Sequence, residues 1–521
     1  MSSILGNGTT AEPTASPLPS PTGSTILPVT DTIPPDHPYR TLVLCFDGTG
    51  DQFDADNSNI VEFFAMLKKD NPAKQLVYYQ AGIGTYTVPQ IVSPMMSKFS
   101  QTLDMAVAWN LDAHIMGGYE FLMQNYCAHD RICIFGFSRG AYTARCLAGM
   151  IHKVGLLPTC NHQQIPFAYK MYTQADEVGW QQSNKFKKTF SIDVDIEFLG
   201  VWDTVSSVGL IPRRLPFTTS NTVVKTFRHA VALDERRAKF KANLWNKPNE
   251  TEQLLSITDQ AIENQAKQKQ KQKHAPNGGN GKHHGSLGAL ERKYTKDRLA
   301  ATNIDEVWFA GCHCDIGGGS VTNGSKPCLA RIPLRWMIRE CFRTNSGILF
   351  HAEGLKGVGL DPTCLYPVVL SRPPALPLDK SSSETGFLQP IPKAKKSVPN
   401  PTDDGDETTA LALPVTQEQE SEELADLKDS LAPIYDQLTL AWFWWILEII
   451  PMKFHFQNGA HFWEYKLGWN MGKGRHVPKK HHDVRIHRSV KTRMEAEDGK
   501  RARYTPKAQI KIDEARVTWV D

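Results

Sequence analysis

With 521 residues, the chain can bury one large elaborated core or two smaller ones. Its net charge of +4 is small beside 59 basic and 55 acidic side chains, so charge balance gives no reason to expect a nucleic-acid partner. The ten cysteines lack a framework spacing, and Cys45, Cys133 and Cys146 lie inside apolar runs, which argues against a disulfide-stapled scaffold and for a reducing, cytoplasmic setting.

Residues 1–38 are rich in Pro, Ser and Thr and have neither a basic nor an apolar leader segment, so they are expected to be a disordered arm and not a secretory signal. From Tyr39 onward short apolar runs alternate with helical patterns. "TLVLCF" reads as a strand, "SNIVEFFAMLKK" as a helix, "QLVYYQAG" as a strand, "AHIMGGYEFLMQNYC" as a helix and "RICIFGF" as a strand leading into "SRGAYTARCLAGMIHKVG". "VDIEFLGVW" and "DEVWFAG" are further strands, whereas "FRHAVALDERRAKF" reads as a helix with its own charge pairs. Alternation at this spacing implies βαβ units and a mainly parallel sheet with helices on both faces. A catalytic domain is expected over residues 39–371, with a flexible insertion at 266–288. An acidic, Pro-rich disordered linker is expected over 372–429, then a C-terminal segment, 430–521, packing on or covering the domain. The basic run in the last fifty residues reads as solvated surface.

"LTLAWFWWILEIIP", Leu438 to Pro451, is shorter than the roughly 20 residues that span a bilayer and contains Glu448, so no membrane span is expected. It reads as one short, almost wholly apolar helix. That helix would pack on the core or over a site, or else touch a membrane surface peripherally.

Chemistry is concentrated at three places. In "IFGFSRGAYTA", Gly136-Phe137-Ser138-Arg139-Gly140 follows an apolar strand and opens a helix, the context of a nucleophile elbow. Such a turn strains the serine, needs small residues two positions to either side, and leaves the hydroxyl at a helix N-terminus beside the Arg139 N–H, where developing negative charge is favoured. A serine needs a base and an orienter, and Asp203 in "GVWDTV" and His313 in "GCHCD" each stand just past a strand, in the order α/β-hydrolases use. Asp315, two residues beyond His313, reads as fixing the glycine-rich turn, and His152 as packing.

The third place is "LCFDGTGD". A phosphatase of the haloacid-dehalogenase type would need an aspartate two residues before Asp47, where this chain has Cys45. The loop then suits the other half of an oxyanion hole. Gly48 or Thr49 would donate a backbone N–H, and Asp47 would hold the turn by accepting hydrogen bonds. "CHCD" packs two thiols and an imidazole too closely to converge on one tetrahedral ion, so no metal and no organic cofactor is expected.

Together "LVLCFDGTGD", "GFSRGAYTARCLAGMI", "GVWDTVSSVG", "HAVALDERRAKF" and "WFAGCHCDIGGG" resemble the uncharacterised α/β-hydrolase family whose bacterial members include phospholipase effectors of type VI secretion. The resemblance covers roughly Arg40 to Arg343, and the Trp-rich stretch and "IHRSV" look like the C-terminal part of fungal relatives. It implies an α/β-hydrolase fold, a lipid or other ester substrate, and a triad of Ser138, Asp203 and His313, the three residues reached above. The expectation is a serine esterase or lipase; the rival reading is a catalytically silent scaffold of the same fold that binds a ligand or partner. Head-group preference and oligomeric state are left open.

Overall fold

The computed structural model describes residues 30–49, 51–82, 105–205, 215–246, 287, 290–291, 301–378, 420–457, 463–478, 484–496, 503–510, 512 and 516–521. Its strands run in chain order β1 (Thr32–Ile33), β2 (Thr41–Phe46), β3 (Gln75–Gln80), β4 (Arg131–Phe137), β5 (Ile196–Trp202), β6 (Val224–Ala232), β7 (Asn303–Phe309), β8 (Phe350–His351), β9 (Met452–Gln457), β10 (Trp463–Gly468), β11 (Val484–His487) and β12 (Val517–Val520).

Eight of these form one sheet in the order β12-β11-β7-β6-β5-β4-β2-β3, with every neighbouring pair parallel. A parallel sheet needs both faces covered, which is why β2 is unbroken apolar sequence from Leu42 to Phe46. Leu42, Leu44 and Phe46 point into a core with the helices Met105–Asn125, Ser138–Val154 and Ile165–Thr173. Val43 and Cys45 point the other way, into a core shared with the helices Asn59–Ala65 and Arg331–Arg343. Each such aliphatic or aromatic side chain stabilises the fold by about 1.5–3 kcal/mol through removal from water. The result is the α/β, α/β-hydrolase-like architecture expected from the alternation. Two antiparallel pairs, β1 with β8 and β9 with β10, stand apart from the main sheet.

Several expectations are corrected. Part of the arm is structured: β1 pairs with β8, and Ile33 and His37 are buried. "FRHAVALDERRAKF" is not a helix. Its first part is β6, enclosed between β5 and β7, so that eight of nine positions are buried and lateral pairing overrides the helical charge spacing.

The acidic linker also contains structure. Helix Glu422–Ser430 docks through its carboxylates, with Glu422 on Arg339, Asp426 on Arg335 and Arg372, and Asp429 on Arg331 and Arg335. Buried ion pairs do there what apolar residues do elsewhere. The basic C-terminal run is likewise not all solvated: β11 and β12 extend the sheet, and Arg475, His487 and Arg493 are buried. The Trp-rich stretch is three short turns, Gln437–Leu440, Trp442–Trp444 and Trp445–Glu448, and does not form one helix. Residues 379–419, and the expected insertion apart from Leu287, lie outside the described residues. Among the described residues no helix is long and apolar enough to cross a membrane.

Candidate active site

The carboxyl ends of β2, β4, β5 and β7 all open on one edge of the sheet, where an open parallel sheet collects ligand-binding loops. β4 turns directly into the helix Ser138–Val154, and Ser138 at the turn has φ 60°, a left-handed value unusual for a residue with a side chain. The flanking glycines are required by contact. A Cβ on Gly136 would lie 2.5 Å from the Gly140 carbonyl oxygen, and one on Gly140 would lie 2.3 Å from the carbonyl oxygens of both Phe46 and Asp47. The turn therefore forms only where β2 and the new helix touch backbone to backbone.

Asp203 follows β5, is fully buried, and also has a positive φ of 42°. His313 opens the short helix His313–Gly317 after β7. The structure brings the three residues into one hydrogen-bonded chain. Ser138 Oγ lies 2.7 Å from His313 Nε2, and His313 Nδ1 lies 2.5 Å from Asp203 Oδ2. Asp203 Oδ1 accepts the Ala232 N–H at 2.8 Å. Burial opposes ionisation of Asp203, yet the Arg475 guanidinium and the His313 contact hold its carboxyl well below the usual range. Asp203 is therefore an anion, and Nδ1 carries the proton it accepts. Burial lowers the His313 pKa against the pull of Asp203, which leaves Nε2 a neutral acceptor facing the serine.

Residues 40–340 match the model of the Tle1-like catalytic domain of type VI secretion phospholipase effectors. The chain belongs to that family. This Tle1-like chain is also 28% identical, over 87% of its length and 79% of the relative's, to an uncharacterized protein of Saccharomyces cerevisiae. Two solved structures are similar to it at lower levels. An uncharacterized protein from Pseudomonas aeruginosa has 17% identity and a TM-score of 0.29, covering 60% of this chain and 46% of that one. The Tle1 effector bound to the VgrG spike has 20% identity and a TM-score of 0.27, covering 56% and 53%. The chain thus spans about half the length of each, and likenesses this slight add nothing to the family match.

Around the Tle1-like site the other motif residues take supporting places. Asp47 is buried, with Oδ1 accepting the Gly48 N–H at 2.8 Å and the Ser58 hydroxyl at 2.6 Å, and Oδ2 accepting the Tyr79 hydroxyl at 2.8 Å. It holds the loop, as its type and position suggest. The Gly48 N–H is engaged by Asp47, and the neighbouring Thr49 has its Oγ1 buried with no hydrogen-bond partner among the described residues. Arg139 lies in the first turn of the elbow helix.

Asp315 caps the helix of His313 by accepting the N–H groups of Cys312 at 2.8 Å and Tyr435 at 3.0 Å, and burial pushes its carboxyl up to about 7. His152 bonds Asn221 at 2.8 Å and stacks on Phe217, away from the serine. His229, on β6, accepts the Thr204 N–H at 3.1 Å and so braces the turn that carries Asp203.

Two parts of the site escape sequence reasoning. Glu235 accepts the His313 backbone N–H at 3.3 Å and pairs with Arg237. Although burial opposes its ionisation, Arg237 holds it down to about 2. The charge pairing within "LDERRAKF" is legible; its place beneath a histidine 78 residues away is not. The other is Arg475, whose guanidinium grips both oxygens of Asp203. Nothing in "GKGRHV" separates it from the surface bases beside it.

Proposed function

We propose that this protein is a serine hydrolase of carboxylic esters acting on lipids, with Ser138 as nucleophile, His313 as general base and acid, and Asp203 as the orienting carboxylate. The observation that carries the reading is the continuous Oγ–Nε2, Nδ1–Oδ2 chain built on a strained serine at a helix N-terminus. Ser138 Oγ attacks the ester carbonyl carbon as its proton passes to His313 Nε2, and the imidazolium is stabilised by Asp203. The oxyanion is met at the elbow by the Arg139 N–H and across from it by Thr49, with the positive end of the helix dipole behind. Collapse expels the alcohol, which takes the proton from His313. Water then repeats the sequence in reverse to release the acid and free the serine. None of these steps calls on a metal or organic cofactor.

The family description, a phospholipase effector domain, supports a lipid ester as substrate. So does the surface beside the site. Leu440, Trp442, Phe443, Trp445, Ile446, Ile449 and Ile450 are exposed, and Leu467, Trp469 and Met471 adjoin them through β9–β10 pairing and the Met471-to-Glu448 hydrogen bond. Exposed Lys453, Lys466 and Lys473 lie within the same segment. Indole rings with ammonium groups around them suit the boundary between acyl chains and anionic head groups. Trp444 connects this surface to the site, packing on Phe240, whose ring packs edge-on to His313.

The test is a fluorophosphonate probe together with a lipid-ester screen of the purified full chain. Wild type should be labelled once, at Ser138, and Ser138→Ala should lose both labelling and turnover, the latter by about a millionfold. Undiminished hydrolysis by Ser138→Ala would remove the serine from the mechanism.

A further inference from the structure

Arg475 lies 272 positions from Asp203 and outside the span 40–340 that matches the catalytic family, yet its side chain is only 1% exposed and stands against the deepest member of the hydrogen-bonded chain. Its five N–H groups are all used. Nε donates to the Phe240 carbonyl at 3.0 Å; Nη1 donates to Asp203 Oδ1 and to the Ala232 carbonyl at 3.2 Å; Nη2 donates to Asp203 Oδ2 at 2.8 Å and to the Phe240 carbonyl at 2.6 Å. A guanidinium fork meets a carboxylate this way, and an ammonium group, with three donors and no fixed plane, does not.

The loop that delivers it is braced on both sides. Glu448 accepts the Gly472 N–H at 2.9 Å and also the Asn470 side-chain amide. Gln509 donates its N–H to the Arg475 carbonyl at 2.8 Å and its side-chain amide to the Gly474 carbonyl at 2.7 Å. Gly474 passes so close to residue 507 that a Cβ would lie 1.7 Å from the Lys507 carbonyl oxygen.

Two consequences follow for His313. With both oxygens gripped, the Asp203 carboxylate cannot rotate, so Oδ2 stays aimed at Nδ1. The guanidinium also offsets the negative charge that Asp203 turns toward the imidazole. His313 is then surrounded by two carboxylate–guanidinium pairs, Asp203 with Arg475 and Glu235 with Arg237. Asp315, Cys312 and Cys314 lie on its own turn. Asp234 lies behind, engaged by the Gly311 and Lys507 N–H groups and the Tyr504 hydroxyl. Of these groups only Arg475 places positive charge directly on the orienting carboxylate.

We propose that Arg475 is a positioning residue of this site, holding Asp203 in the one orientation that receives the His313 Nδ1–H and keeping His313 a neutral base at lower pH. The C-terminal segment therefore completes the active site, and the span 40–340 alone does not. The inference rests on the serine-hydrolase reading, but one arm of its test does not need activity.

The experiment compares wild type, Arg475→Met and Arg475→Lys as full chains. The midpoint of His313 is read by NMR of carbon-labelled histidine, its signal identified by its loss in His313→Asn. Alongside, kcat/KM against pH is read on a soluble short-chain ester. Removing a positive charge favours the imidazolium, so Arg475→Met should raise the His313 midpoint by roughly one to two units, the scale of one unit charge several ångströms away at an effective dielectric near 20. The acid limb of kcat/KM should rise with it. Arg475→Lys keeps the charge but not the fork, so the midpoint should stay close to wild type while turnover falls at least about tenfold. An unmoved His313 midpoint in folded Arg475→Met overturns the proposal. So does Arg475→Lys with wild-type turnover, which decides the matter should the methionine variant fail to fold. If wild type takes up no fluorophosphonate while the midpoint moves as expected, the functional reading fails and the electrostatic role of Arg475 stands.

Discussion

Replacing Asp203 by asparagine changes one atom, and the surrounding donors dictate which way the amide must sit. The Oδ1 position receives the Ala232 N–H at 2.8 Å and an N–H of Arg475, so it must stay an oxygen. The amide nitrogen is thereby forced to the Oδ2 position, 2.5 Å from His313 Nδ1 and 2.8 Å from Arg475 Nη2. There it donates to Nδ1, moving the imidazole proton to Nε2, where it points at Ser138 and cannot take the serine's proton. It also opposes donor to donor with the guanidinium. The tautomer error costs about four orders of magnitude in turnover where a buried triad aspartate has been changed in this way, or about 5.5 kcal/mol of transition-state stabilisation. Leaving Arg475 buried without its counter-charge should lower folding stability by roughly 3–5 kcal/mol. The assay is kcat/KM on a soluble short-chain ester, with far-UV circular dichroism and thermal melting to show that the variant remains folded. Turnover within tenfold of wild type in a folded variant would refute both the assigned orientation and the role of Asp203.

Three other outcomes are expected. Asp315→Asn should keep turnover within about tenfold, because Asp315 caps a helix and does not touch the serine. Its carboxyl, raised by burial to about 7 from an ordinary 3.8, contributes stability that is fully present below pH 3.8 and lost as pH rises through 7. The melting temperature of wild type relative to Asp315→Asn should therefore fall between pH 4 and 8, and a rising difference would contradict the sign. Gly140→Ala should cost more than about 3 kcal/mol or prevent soluble expression, since its Cβ would meet two backbone oxygens at 2.3 Å, neither of which can swing aside; a melting temperature unchanged from wild type would argue against that close approach. Replacing Trp442, Phe443 and Trp445 together by alanine should weaken flotation with anionic vesicles about a hundredfold, on partial insertion of three rings, and spare hydrolysis of a soluble ester. An equal loss of soluble-ester hydrolysis together with a large drop in melting temperature would place the rings in the core.

The elbow is legible in the sequence because its constraint is local. A strand, a strained serine and two glycines within five positions decide the turn, and distant chain contributes only the backbone at the end of β2 that makes Gly140 obligatory. The placement of Asp203 and His313 after strands is legible for a related reason: parallel strands enclosed on both faces announce themselves as apolar runs, and their carboxyl ends are where chain direction brings functional loops together. The misreading of "FRHAVALDERRAKF" marks the limit. Arg228 and His229 look solvated along the chain, but β5 and β7 close on either side of β6, and these polar groups are met by Glu340 and Glu306.

By itself, then, the sequence determined the alternating α/β plan, the tight strand-to-helix turn at Ser138 and the loop-holding place of Asp47, since each depends on residues a few positions apart or on the period of burial; Asp315, read along the chain as fixing the glycine-rich turn, instead caps the helix of His313. Only the tertiary structure decided that the acidic helix Glu422–Ser430 docks on arginines, that β11 and β12 widen the sheet, that Trp442 and Trp445 face outward, and that Arg475 reaches Asp203. The physical reason is common to all four. A charged or aromatic side chain carries no mark of whether it will meet water or a partner hundreds of residues away, and that choice is made by the desolvation and pairing that arise only when the distant segments pack.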